Sequence, residues 1–182
     1  MGPSHVASTN GSLYYASFVD VVSKYTWVYL ISHKSQATSI FLQFKALVEN
    51  QTGFSSKTLQ INNAKEFLLL TKLLNTYDII HRLTCPHTHQ QNDSVERKHC
   101  HIVDTGLALL VAASLPLRFQ GDAFSSVVFT INILPTPVLH NLSQYEMLFS
   151  HKPDLITFTL NLNLNVLKIR TKHYLLLFVF SL

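Results

Sequence analysis

The stretch Leu13-Tyr14-Tyr15-Ala16-Ser17-Phe18-Val19-Asp20-Val21-Val22-Ser23-Lys24-Tyr25-Thr26-Trp27-Val28-Tyr29-Leu30-Ile31 decides the fold. Residues 13–20 are rich in aromatic and β-branched side chains and follow an Asn10-Gly11 turn signal, so they read as a strand. Residues 26–31 read as a second strand, and the short link between the two makes a hairpin the natural connection. Downstream, Ala37, Ile40, Phe41, Phe44, Leu47 and Val48 recur at three- and four-residue steps, which is one apolar face of a helix. Ser35 is its expected N-cap and Gln51-Thr52-Gly53 its end.

Residues 57–61 and 79–83 read as short strands, with a short apolar helix over 66–76 between them. A polar loop is expected at 84–93, then a helix opened by Ser94 and running to about Ala113. Pro116 breaks the chain, a further helix spans 119–133, and Ser143 caps a short turn through Phe149. Strands interleaved with helices in this order point to an α/β domain. Residues 157–166 alternate apolar with Thr and Asn, a strand pattern of period two, and an apolar end follows.

Composition narrows the class. The 182 residues suit one domain, and 47% of them are apolar, enough for a sizeable core. Charged residues are 13%, against about 25% in a typical soluble chain. Intrinsic disorder, collagen-like sequence and a highly charged coiled coil are excluded. Fourteen Lys and Arg against ten Asp and Glu give a net charge of +4, which permits a polyanionic partner without demanding one. Two cysteines, Cys85 and Cys100, are too few for a disulfide scaffold and suit an intracellular, reducing compartment. The apolar end from Tyr174 to Leu182 is nine residues long, whereas a helix needs about 20 to span a bilayer. No membrane partner is expected.

Three places could carry chemistry: the strand end at Asp20, the strand-to-polar junction at Asn62-Asn63-Ala64-Lys65-Glu66, and the segment His87-Thr88-His89-Gln90-Gln91-Asn92-Asp93-Ser94-Val95-Glu96-Arg97-Lys98-His99. Carboxylates at strand ends, facing an acid on a helix, are how two-metal phosphoryl-transfer sites are built. The amides Gln90, Gln91 and Asn92, with Arg97 and Lys98, suit contacts to a phosphate backbone. The cysteines and paired histidines fit no standard zinc-finger spacing.

At these residues the chain resembles the integrase catalytic core of copia-type long-terminal-repeat retrotransposons, a member of the ribonuclease-H-like polynucleotidyl transferases. The resemblance is carried by GP near the start, YYASFVD with SKYTWVYL, FKALVENQTG, KTLQINNAKEF, HRLTCPHTHQQNDSVERKH, LPTPV and YEMLFSHKPD. It covers residues 2–154 as one catalytic-core-like domain and leaves 155–182 as a divergent apolar tail of out-of-family sequence.

The resemblance implies a mixed sheet flanked by helices, Mg²⁺ held by two strand Asp and one helix Glu, DNA as partner through non-specific backbone contacts, homodimers formed through helix faces, and a nuclear location. Carried over residue by residue, the first Asp falls upstream of Met1, so the first central strand is missing. Asn62 stands where the second Asp belongs, and Glu96 is the surviving acid. An amide lends a metal one neutral oxygen and no charge, so Mg²⁺ should bind weakly and catalysis should be lost.

Two alternatives stay open: an active transferase whose missing ligands come from a partner, and a non-enzymatic dimerisation module. Glu96 is equally readable as a first-turn acid beside a Ser94 cap, and Asp20 as a turn residue. Losing a central strand would leave backbone groups unpaired unless another segment fills the slot, and residues 157–166 are the candidate.

Overall fold

A computed structural model describes residues 4–61, 68–83, 89–154 and 175–181. The hairpin forms as expected: β1 (Tyr14–Asp20) pairs antiparallel with β2 (Thr26–Ile31), from Tyr14 opposite Ile31 to Val19 opposite Thr26. Helix α1 (Ala37–Thr52) follows, then β3 (Thr58–Ile61), α2 (Leu68–Thr76) and β4 (Ile80–Leu83). The rest comprises α3 (His89–Ala112), α4 (Gln120–Ile133), a two-residue ribbon of β5 (Pro135–Thr136) with β6 (Leu142–Ser143), α5 (Gln144–Phe149) and β7 (Leu175–Ser181).

The main sheet runs β2-β1-β7-β3-β4. Its centre is the apolar end of the chain. β7 pairs antiparallel with β1, from Tyr15 opposite Ser181 to Asp20 opposite Leu176, and parallel with β3, from Thr58 opposite Leu175 to Gln60 opposite Leu177. This corrects the expectation for the slot: the segment that fills it is 175–181. Residues 157–166 lie outside the described residues. The exchange makes physical sense, because an interior strand of a sheet flanked by helices takes a continuous apolar run, whereas an alternating pattern suits a strand with one wet face. β7 thus belongs to the same sheet as the elements before Asp154.

One face of the sheet is closed by α1 and α2. Ala16, Phe18, Phe41, Phe44, Val48, Leu59, Ile61, Leu70 and Leu74 form its core, with the Phe18 and Phe44 rings stacked at 3.8 Å between centroids. Helix α1 starts one residue later than Ser35 would give. Residues 34–36 form a 3-10 turn, and the Gln36 side chain accepts the backbone N–H groups of Ser32 and His33. A longer amide reaching back to two donors outcompetes the serine as the start signal. Gly53, at φ +72°, closes α1 in the left-handed conformation that glycine adopts without strain. On the opposite face lie α3 and α4, which meet along Ile102, Phe124, Val127 and Val128 over Tyr15. Among the described residues no helix is long and apolar enough to cross a membrane.

Candidate active site

Helix α3 carries the acid that the resemblance retains. It begins at His89, five residues before Ser94, so part of the expected polar loop is helical. Between Pro86 and Gly106 the sequence holds neither Pro nor Gly, and two glutamines favour helix, so nothing stops the helix at Ser94. Gln90, Gln91 and Asn92 therefore stand on the first turn of α3 rather than on a loop; their side chains lie outside the described residues. Glu96 sits in the third turn, beyond the reach of the helix-dipole reading, and its side chain is exposed. Arg97 is exposed beside it.

The inward stripe of α3 is Val95, His99, Ile102, Gly106 and Leu110. Val95 packs on Val19 near the end of β1, while His99 lies farther down, bonded through Nδ1 to the Tyr15 hydroxyl. Burial holds His99 below the usual imidazole range, so the ring is neutral near pH 7. His99 is thus a core histidine on a tyrosine.

Lys98 also points into the protein. Its ammonium donates to the Lys24 carbonyl and, at 2.9 Å, to Gln144 Oε1, tying α3 to the β1–β2 turn and to α5. Burial, reinforced by the charge of Lys24, pushes it down to about 7. Of the two basic residues assigned to phosphate contact, Arg97 faces solvent and Lys98 is held by internal acceptors.

Asp20 is a turn residue. Its Oδ2 accepts the Ser23 N–H and the Ser23 hydroxyl, both at 2.7 Å. Among the described residues Oδ1 has no hydrogen-bond partner, and burial raises the carboxyl above the usual range despite the Ser23 bonds.

Among the described residues, the sheet end where the resemblance gathers its carboxylates holds few. Asn62 follows β3 directly in sequence and lies outside the described residues. On the neighbouring central strand, Val179 stands two residues beyond the Gln60–Leu177 pair and opposite Ser17. Leu175–Ser181 reads LLLFVFS and contributes no anionic oxygen. Among the described residues no group of three His, Cys, Asp or Glu side chains could hold a metal ion. Magnesium prefers several hard oxygens, largely anionic, and the described residues do not fit it.

Comparison with known proteins places the chain. Over 151 residues, 83% of its length, it is 42% identical to the retrovirus-related Pol polyprotein from transposon RE2 of Arabidopsis thaliana. It is 40% identical to the RE1 polyprotein of the same plant, and 34% identical over 137 residues to that of transposon TNT 1-94 of Nicotiana tabacum. The chain belongs to the integrase cores of copia-type retrotransposons.

This integrase core spans about a tenth of the length of the polyproteins it matches. No protein-family profile matches it. Its fold is that of retroviral integrase cores. The simian T-cell lymphotropic virus intasome, in complex with PP2A regulatory subunit B56 gamma, matches 85% of this chain and 54% of its own at TM-score 0.62 and 20% identity. The HTLV-2 integrase catalytic core domain, solved with magnesium in a trimeric form, matches 81% of this chain and 92% of its own at TM-score 0.56 and 19% identity.

Sequence reading missed the polar ties that set α3 and α4 against the hairpin. Besides Tyr15–His99 and Lys98, Asn132 on α4 accepts the Thr26 N–H at 3.0 Å and donates to the Thr26 carbonyl at 2.8 Å. A signal was present: His99 and Asn132 interrupt otherwise apolar helix faces, and a polar residue on such a face needs a partner.

Proposed function

We propose that this integrase core is a catalytically silent, nucleic-acid-binding domain. The observation that carries the reading is the central strand: LLLFVFS occupies the middle of the sheet between β1 and β3, so the backbone ladder is complete while that strand brings no metal ligand. With Asn62 in place of an acid, Glu96 would face a cation with too little negative charge. What supports DNA contact is the exposed Arg97, the amide-bearing first turn of α3 and the net charge of +4. Lys98 is left out of that contact, its ammonium being held by the Lys24 carbonyl and Gln144.

The test uses the whole chain with duplex oligonucleotides. Binding should be independent of sequence and fall with rising salt, on a shallow slope because few cations take part. Arg97→Gln should weaken it. No nicking or strand joining should appear with Mg²⁺ or Mn²⁺. Metal-dependent cleavage that Glu96→Gln abolishes would overturn the silent reading, and salt-independent or absent binding would overturn the nucleic-acid one.

A further inference from the structure

Away from the metal-site end, a cavity of about 290 Å³ opens between the hairpin and helices α3 and α4. Its walls are Leu30, Val103, Leu107, Leu117 and Phe124, with Tyr15 and His99 among the polar residues that line it. Two glycines shape it. At Gly121 an added Cβ would come within 2.7 Å of Leu30 Cδ1, and at Gly106 within 2.4 Å of the Phe124 ring, so each lets a bulky neighbour approach a helix.

Several polar groups of the lining are hydrogen-bonded within the protein, and His5 adds an exposed imidazole to it. Ser4 Oγ donates to Gln120 Oε1 at 3.0 Å, Gln120 Nε2 donates to the Val6 carbonyl, and Tyr15 bonds His99. Ser8 Oγ accepts the Ser12 N–H at 3.0 Å and donates to Asn10 Oδ1 at 2.5 Å. Among the described residues the lining contains no Asp, Glu, Lys or Arg, and its buried His99 is neutral near pH 7.

We propose that this cavity is a binding site for a small, uncharged, ring-sized apolar molecule. The volume is close to the lower end of ligand pockets, and internally paired polar groups leave apolar surface as what the space offers. An ion would lose its hydration with no charged Asp, Glu, Lys or Arg side chain in the described lining to meet it, whereas a neutral ring gains burial. The inference does not rest on the nucleic-acid reading, since it uses neither Glu96 nor Arg97.

Three probes of one shape and different charge test it on the full chain: benzyl alcohol, benzoate and benzylammonium, followed by methyl NMR. Benzyl alcohol should shift the methyls of Leu30, Val103 and Leu107 saturably, with Kd on the order of 1 mM, and leave Val48 and Leu74 unmoved. Both ions should bind about tenfold more weakly or worse. Gly121→Ala should abolish the shifts by moving Leu30 inward. Leu107→Trp, at a position 38% exposed and so tolerant of substitution, should block the mouth with the fold intact. Equal binding of the three probes, shifts that fail to saturate, or binding retained in Leu107→Trp would each overturn the proposal.

Discussion

The two faces of the central sheet are built on different principles. Against α1 and α2 the sheet is sealed by a continuous apolar core in which Phe18, Phe41 and Phe44 have no exposed surface. Against α3 and α4 the apolar contacts are fewer and broken by polar ties: Tyr15 to His99, Lys98 to Lys24 and Gln144, Asn132 to Thr26. The cavity lies on this second face. A sealed face draws its stability from close packing, and any lost atom leaves a void. A tied face depends on whether each buried polar group keeps its partner, and therefore on pH.

Removing an aromatic from each face breaks the comparison most severely. Phe44→Ala should cost about 3–5 kcal/mol in denaturant unfolding, since the site is fully enclosed. Phe124→Ala, beside a gap that already exists, should cost less, about 2–3 kcal/mol. Equal costs would mean that the two faces are packed alike.

A pH series probes the polar ties. In the folded chain the Lys98 ammonium is pushed down to about 7, while in the unfolded chain it titrates near 10.5. Between those values the unfolded state holds more protons, so stability should rise as pH rises through that window. The gain is on the order of 1–2 kcal/mol once partial exposure is allowed for. Lys98→Met should flatten that rise. A fall in stability over the same window, traced to Lys98, would contradict the inward placement of its ammonium.

The smallest expected effect lies at the rim, where α5 starts with a capping box. Ser143 Oγ accepts the Glu146 N–H at 3.0 Å, and the Glu146 carboxylate accepts the Ser143 N–H at 2.9 Å. Ser143→Ala should cost about 1 kcal/mol, measured by thermal unfolding.

The sealed face was readable from sequence because period-two and three-to-four patterns point at one apolar layer: Tyr14, Ala16 and Phe18, Trp27, Tyr29 and Ile31, and Ala37, Ile40, Phe41, Phe44 and Val48 all landed in it. The Ser143 cap was legible for the same local reason. The start of α3 was not, because a polar segment free of Pro and Gly looks the same as loop or helix until something packs on it. The inward turn of Lys98 was hidden too, since its acceptors are a backbone carbonyl and an amide 74 and 46 residues away in sequence. Least legible was the role of the apolar end. Short apolar runs carry no address, and only the pairing with β1 and β3 shows where this one goes.

That pairing completes the sheet with a strand that carries no carboxylate. Native-state amide hydrogen exchange reads it directly. Residues 176–180 should exchange as slowly as Asp20, Val19, Phe18, Ser17 and Ala16, their partners in β1, with Leu176 and Leu177 bonded to β3 as well. Exchange of that segment at the rate of an unstructured peptide, with β1 still protected, would contradict it.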